Sequence, residues 1–300
     1  MKKIKFNKNI KRLRIDVGTA ATAPNSAFWL SKYDDVGIIG FEPSPKNFKI
    51  LTNGYKTNQY LDESRLIIRD NIIKYKNKIK KHLDQNVFYI FNIGIDNVKK
   101  PKIKKFYSVE EKNFGCSSFN KPIENKLNLK IDKILNIKVC NLKSFLIKLD
   151  KTKFKYIEFL KTDTQGNDLK VLKSCGKEIN RICFIQTEYW ANQEYFGDLS
   201  RKEALNNTIN FMKNRNFHCY YYTDVDAFFY NKSLKSYFLK NKILDDCIDF
   251  KNGLYHLSKW PFNIDGKLMF LVGIKFILRK NKFIYNFIKY KLKLNVFKAL

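Results

Sequence analysis

The sequence has no C-x-x-C pair, although Cys116, Cys140, Cys175, Cys183, Cys219 and Cys247 are spread along its 300 residues. That scatter, mostly in apolar surroundings, argues against a zinc ribbon or a disulfide framework and for reduced, buried thiols. Histidine is scarcer: His82, His218 and His256 stand far apart, so no metal-ligand spacing is present. Long apolar runs are missing too. The longest, residues 268–278, is broken by Lys275 and is too short for a transmembrane segment. The first residues lack the apolar stretch and small-residue cleavage site of a secretion signal, so a cytoplasmic protein is expected. Acid is short relative to base, with 28 Asp and Glu against 58 Lys and Arg, a formal net charge of +30. Such charge suits nucleic acid or an anionic membrane. Lysine, however, runs along the whole chain together with asparagine and isoleucine, which reads as a coding bias toward A and T rather than as a patch.

With 44% hydrophobic residues the chain has material for a sizeable core, either one large α/β domain with an appendage or two small domains. Residues 14–45 organise it. Ile15, Asp16 and Val17 end an apolar run that Gly18 breaks; residues 25–33 read as a helix, and residues 36–41 form a second apolar run closing on Glu42. Strand, glycine turn, helix, strand and acid make a nucleoside-binding half, in which the acid can accept both hydroxyls of a ribose. Gly18 and Glu42 equally read as an ordinary strand-ending glycine and a surface acid. The loop is again informative by what it lacks. Thr19, Ala20, Ala21, Thr22 and Ala23 follow Gly18, so no second glycine lets the backbone approach a pyrophosphate. No Lys-Ser or Lys-Thr pair follows a glycine-rich loop to cradle a triphosphate. S-adenosylmethionine has a ribose and an adenine but no phosphate, and needs only the turn and the acid.

Downstream, residues 64–82 carry an imperfect helical stripe, and residues 87–95 form a strong strand with Asn92 at its carboxyl end, placed to contact adenine or to cap a turn. Residues 99–138 are lysine-rich and weakly patterned, apart from the island Gly115, Cys116, Ser117 and Ser118, which can close over a ligand or make a plain turn. Residues 139–149 give a short apolar piece and then a helix. Residues 156–163 are the next strand, ending on Asp163 before Gly166 and a helix; residues 182–188 repeat the arrangement and bring Gln186 and Glu188 to the same rim. A helix over residues 200–214 precedes two aromatic runs, residues 217–222 and 227–230, close enough to form a hairpin that ends the sheet antiparallel.

These pieces resemble the FkbM-type S-adenosylmethionine-dependent methyltransferases. The resemblance rests on Ile15-Asp16-Val17-Gly18, Ala23-Pro24-Asn25-Ser26, Gly40-Phe41-Glu42-Pro43, the Gly115 island, Leu160-Lys161-Thr162-Asp163-Thr164-Gln165-Gly166-Asn167-Asp168 and Gln186-Thr187-Glu188, and it covers residues 12–231. It implies an α/β, class I methyltransferase sheet, Rossmann-like and mostly parallel with an antiparallel C-terminal hairpin, transferring a methyl group to a hydroxyl of a sugar or natural product. By position, Asp16 and Gly18 would frame the methionine end of S-adenosylmethionine, Glu42 the ribose and Asn92 the adenine. Asp163 would face the transferred methyl. Two departures stand out: the family loop commonly has a second glycine, and its usual Asp-x-Glu-Gly-x-Glu is here Asp163-Thr164-Gln165-Gly166-Asn167-Asp168.

A hydroxyl acceptor must lose a proton, and Asp163 or Glu188 can take it as general base if burial raises its pKa. His218 is the other candidate base, although its place at the start of a strand-like run suits a structural role. Residues 1–231 are thus expected to be the methyltransferase domain and residues 232–300 a basic, aromatic-rich extension. In that extension Phe283, Ile284, Phe287, Ile288, Leu292 and Val296 fall near helical spacing among lysines, as in a helix lying on an anionic membrane or packed on its own domain. The expected partner is a small-molecule or glycan acceptor; the other reading is a non-catalytic or nucleic-acid-directed module using the basic surface.

Overall fold

The computed structural model describes residues 4–21, 23–53, 88–109, 115–123, 130–190, 199–241 and 243. Its centre is a seven-stranded sheet of β1 (Arg12–Val17), β2 (Val36–Phe41), β3 (Phe88–Phe91), β7 (Ile157–Thr162), β8 (Ile182–Glu188), β9 (Phe217–Tyr222) and β10 (Asp226–Asn231), in the order β3-β2-β1-β7-β8-β10-β9. The first five of these are parallel; β10 is antiparallel to both β8 and β9. β2 and β7 are buried at every position, as expected of parallel strands covered on both faces. The strand order reverses between β1 and β7, and in open parallel sheets ligands bind at the carboxyl ends of strands where this happens.

Helices complete the layers. Pro24 opens α1 (Pro24–Lys32), whose Trp29 packs edge-on against Phe159 at 5.5 Å. Pro45 likewise opens α2 (Pro45–Asn53); proline suits a first turn, where its missing N–H has no intrahelical partner. The short α3 (Lys143–Leu146) buries Phe145 against Phe41 at 4.8 Å. Asp168–Ser174 forms α4 and Arg201–Lys213 forms α5. A capping box starts α5: Ser200 Oγ accepts from the Glu203 N–H, and Glu203 accepts from the Ser200 N–H. In α6 (Lys235–Lys240), Phe238 is buried against Phe184 at 4.6 Å.

Three expectations change. The strand expected over residues 87–95 ends at Phe91: the Ile93 N–H bonds the Phe91 carbonyl in a tight turn, and Gly94–Ile95 becomes β4 of a second sheet. The weakly patterned stretch after residue 99 holds two long strands of that sheet, β5 (Lys102–Ser108) and β6 (Lys133–Cys140), in the order β4-β6-β5. Val139 and Cys140 therefore close β6, and the helix after them is only α3. The helix expected over residues 64–82, Cys247, His82, His256 and most of the basic extension lie outside the described residues. None of the five described cysteines is in a disulfide, and no described helix is long and apolar enough to cross a membrane.

Candidate active site

Carboxylates that are scarce in the sequence gather where β1 and β7 end. Gly18 adopts φ +83, and a Cβ there would lie 1.9 Å from the Asp163 carbonyl oxygen. Only glycine allows both this left-handed turn and this approach of the two strand ends. The loop then folds back onto β2. The N–H groups of Gly18 and Thr19 both bond the Phe41 carbonyl, and the Ala20 N–H bonds Glu42 Oε2 at 2.8 Å. Glu42 Oε1 accepts from the Ser44 N–H at 2.9 Å. Burial pushes the Glu42 carboxyl up to about 7, despite these donors and the nearby Asn47 and Lys161. Asn92 is tied to the same corner, its amide donating to the carbonyls of Glu42 and Pro43.

Asp16 is fully buried at the end of β1. Its Oδ2 accepts from Ser26 Oγ at 2.7 Å, and its Oδ1 lies 3.5 Å from the Lys161 ammonium. Burial raises its pKa, and Lys161 and Ser26 draw it back. Lys161, equally buried on β7, donates to the Gly18 carbonyl at 3.0 Å and stands 3.4 Å from Asp163 Oδ2. Burial alone would lower the Lys161 pKa, but Asp163 and Asp16 together outweigh it and raise it. One ammonium thus joins the glycine turn, the β1 acid and the β7 acid.

Asp163 is the outward member, with 42% of its side chain exposed. Its Oδ1 accepts from Gln165 Nε2 at 2.8 Å, and the same nitrogen reaches the Glu188 carboxylate at 3.1 and 3.3 Å. Trp190 Nε1 also donates to Glu188 Oε1, at 2.7 Å. Burial raises the Glu188 pKa well above the carboxylate range, and the charges of Asp163 and Asp168 add to it. At the start of α4 Asp168 is buried, accepts from the Thr164 N–H at 3.0 Å and is pushed up to about 7 by burial and then Asp163. Asp226 on β10 is pushed up to about 6 by burial, although Gln186 donates to it. A carboxyl with its pKa near neutrality is suited to exchanging protons.

The structure therefore brings Asp16, Gly18, Glu42, Asn92, Asp163 and Glu188 to one edge of the sheet. It adds Lys161, Gln165, Asp168, Trp190 and Asp226, which were not among the expected site residues. Lys161 had a readable signal, the one cation of the strand Ile157–Thr162, next to the Asp163 that follows it. The Gly115 island contributes Ser118, whose Oγ donates to the Gln165 carbonyl at 2.7 Å while its backbone bridges Tyr107. His218 is elsewhere: it lies on β9, the outermost strand, with its ring 5.2 Å from that of Tyr230. A cavity at the amino end of β8, lined by Gly176, Lys177, Ile179, Asn180, Asn214 and Arg215, contains none of the rim carboxyls. No group of three or more described His, Cys, Asp or Glu residues is arranged to hold a metal ion.

Residues 16–219 match the Methyltransferase FkbM domain, about two thirds of the chain. The chain belongs to this family. The matched span runs from Asp16, at the end of β1, into β9. Among solved structures, the methyltransferase FkbM from Methylobacillus flagellatus KT is similar, with 13% identity and a TM-score of 0.40. The likeness covers 74% of this chain and 44% of that one, so this chain spans less than half of that protein's length. No curated protein matches the sequence.

Proposed function

We propose that this chain is a methyltransferase that uses S-adenosylmethionine and methylates a hydroxyl of a glycan or small metabolite. The observation that carries the cofactor reading is the direction of the loop amides. The N–H groups of Gly18, Thr19 and Ala20 all turn inward onto Phe41 and Glu42, so they are not offered to a phosphate, as a dinucleotide loop requires. A phosphate-free nucleoside fits such a loop. The edge also keeps polar atoms without a hydrogen-bond partner: Thr19 Oγ1 and Asp168 Oδ2 are buried with none, and Asp16 Oδ1 has only the Lys161 ammonium at 3.5 Å, whereas buried polar atoms ordinarily have one.

In this reading Asp16 and the Gly18 turn hold the methionine end, the spare lone pairs of Glu42 take the ribose hydroxyls, and Asn92 lies beside the adenine. Bound there, S-adenosylmethionine supplies an electrophilic methyl group on a sulfonium. As the acceptor hydroxyl took up that methyl group, its proton would pass to a carboxylate of this chain. Asp163 is placed for that step, half-open to solvent and fixed by Gln165 on one oxygen and Lys161 on the other. Lys161 in turn keeps the Gly18 carbonyl and Asp16 in register with Asp163, so that positioning, a large share of the barrier in such displacements, comes from one buried ammonium.

The test is calorimetry with S-adenosylmethionine, its demethylated product and NAD, followed by single-turnover transfer with Asp163→Asn. Both methionine nucleosides should bind and NAD should not; the variant should keep cofactor affinity and lose turnover on the order of 10²–10⁴. NAD binding with no response to either nucleoside overturns the cofactor reading. Normal turnover of Asp163→Asn overturns the assignment of the base and passes it to Glu188.

A further inference from the structure

Gln165 enters the chemistry so far only through its bond to Asp163, yet its backbone and side chain are held from several sides. Its φ is +53 and the next residue, Gly166, has φ +91. A non-glycine residue in the left-handed region is held there at a cost and persists only where its surroundings over-determine it. Here they do. Ser118 from the second sheet grips the Gln165 carbonyl, Asn167 Nδ2 bonds the Ile95 carbonyl at 3.0 Å, and Asp168 grips the Thr164 N–H. The result is a side-chain amide set between two carboxylates. Asp163 and Glu188 offer only acceptors when ionised, so the nitrogen of the amide must face them.

We infer that Gln165 is a positioning residue that clamps Asp163 against Glu188 and sets the pH at which Glu188 takes up a proton. The inference rests on the function proposed above only for the meaning of that proton; the clamp itself is a statement about two carboxylates and an amide. The groups facing the pair are Asp16 from β1, Lys161 from β7, Asp168 from α4 and Asp226 from β10. Lys161 is the cation among them, so the balance of charge is strongly acidic. A neutral donor at position 165 lets both carboxylates approach one point without a further negative charge. The isosteric substitution Gln165→Glu would instead place a third carboxylate against the other two.

Trp190 provides a readout that needs no substrate. Its indole N–H bonds Glu188 Oε1, so ionisation of Glu188 changes its emission, and the pH-dependent component absent from Trp190→Phe belongs to this residue. In Gln165→Glu the added charge should move the midpoint of that component upward by about one pH unit or more. In Gln165→Met, which keeps the shape but donates nothing, it should move upward by less. With an acceptor, the acid limb of the pH–rate profile should move in step: kcat at pH 7 falls, recovers at higher pH, and KM for the cofactor stays put.

Thermal melts by circular dichroism separate this from misfolding, and two variants guard against one failing to fold. Midpoints and profiles unchanged in folded variants overturn the clamp, because a purely structural glutamine would behave that way. A midpoint that moves while the wild type transfers no methyl group supports the clamp and counts against the proposed function.

Discussion

On β1 and β7, Arg12, Arg14 and Glu158 form one buried charge cluster, and Asp16, Lys161 and Asp163 form another a few residues further along the same strands. The first matches its acid inside the protein, although Arg14 Nη1 is buried with no hydrogen-bond partner. Arg14 Nε and Nη2 both bond Glu158 Oε2 at 3.2 Å, and Arg12 Nε bonds Glu158 Oε1 at 2.6 Å. The leftover face of each guanidinium lies over an aromatic ring, Arg12 and Arg14 over Tyr33 at 4.1 and 4.9 Å and Arg14 over Trp29 at 5.4 Å. The second is left open, with the Asp16 pKa raised by burial, Asp16 Oδ1 facing only the Lys161 ammonium at 3.5 Å, and Asp163 reaching solvent. Buried charge by itself therefore does not mark a site. What separates the two clusters is the balance of charge: two guanidinium groups cover one carboxylate in the first, whereas in the second one ammonium serves two carboxylates, one of them open to solvent.

Removing one member from each cluster tests the contrast. Glu158→Gln leaves the fully buried Arg14 guanidinium without its counter-charge, while the partly exposed Arg12 keeps Asp35 at 3.9 Å, and breaking such a buried pair costs about 3–5 kcal/mol of folding stability. Urea unfolding measures it, and calorimetry on the folded fraction should show cofactor affinity unchanged. If affinity falls and stability holds, the closed cluster is not closed.

Glu42→Gln should behave the other way. Hydrogen bonds to a charged group contribute roughly 1.5–3 kcal/mol, so affinity for the demethylated cofactor should fall about tenfold to a hundredfold. Some stability should go too, because one end of the new amide faces a backbone N–H, of Ala20 or Ser44, as donor against donor. A loss of stability alone, with affinity intact, would make Glu42 a loop brace and move it into the first class.

The two sheets differ in how far the sequence displayed them. The large sheet was legible because its central strands β1, β2, β7 and β8 are almost wholly buried and rich in apolar residues, and because Asp16, Glu42, Asp163 and Glu188 stand at their carboxyl ends. The expected hairpin of two aromatic runs is β9 and β10, and the helix expected over residues 200–214 is α5 with its cap. The small sheet was not legible, since its alternation is inverted. Ile103 and Ile134 point outward, 61% and 57% exposed, and lysines fill most of the other outward places on β5 and β6. A pattern reader counts such strands as loop. The break after Phe91 was hidden for another reason, since it depends on Asn92 bonding carbonyls 49 and 50 positions earlier in the chain. Gln165 and Trp190 were missed on similar grounds. Neither residue type signals chemistry, and their roles come from meeting Glu188 across the rim.

The smallest expected effect is the pH dependence of stability, and it separates the clusters without any ligand. Asp168 titrates at about 7 in the folded protein, against an ordinary value of 3.8. A carboxyl whose folded pKa is raised binds more protons in the native than in the unfolded state between those values. Its contribution is fully present below the unfolded value and is lost as pH climbs through the folded one. Stability should therefore decline from about pH 4 to about pH 7 on account of this group. Asp168→Asn has no proton to lose, and its amide oxygen can still accept from Thr164. Its stability should fall less over that window, by up to about 1.4 kcal/mol for each pH unit crossed. Urea midpoints at pH 5 and pH 8, for wild type and variant in the same ionic strength, give the difference directly, and the common effect of the protein's large positive charge cancels. Equal slopes would mean that Asp168 is ionised throughout the range, its charge compensated within the rim. In that event the open cluster would be as self-satisfied as the Arg14 cluster, and the distinction drawn between them would fail at this residue.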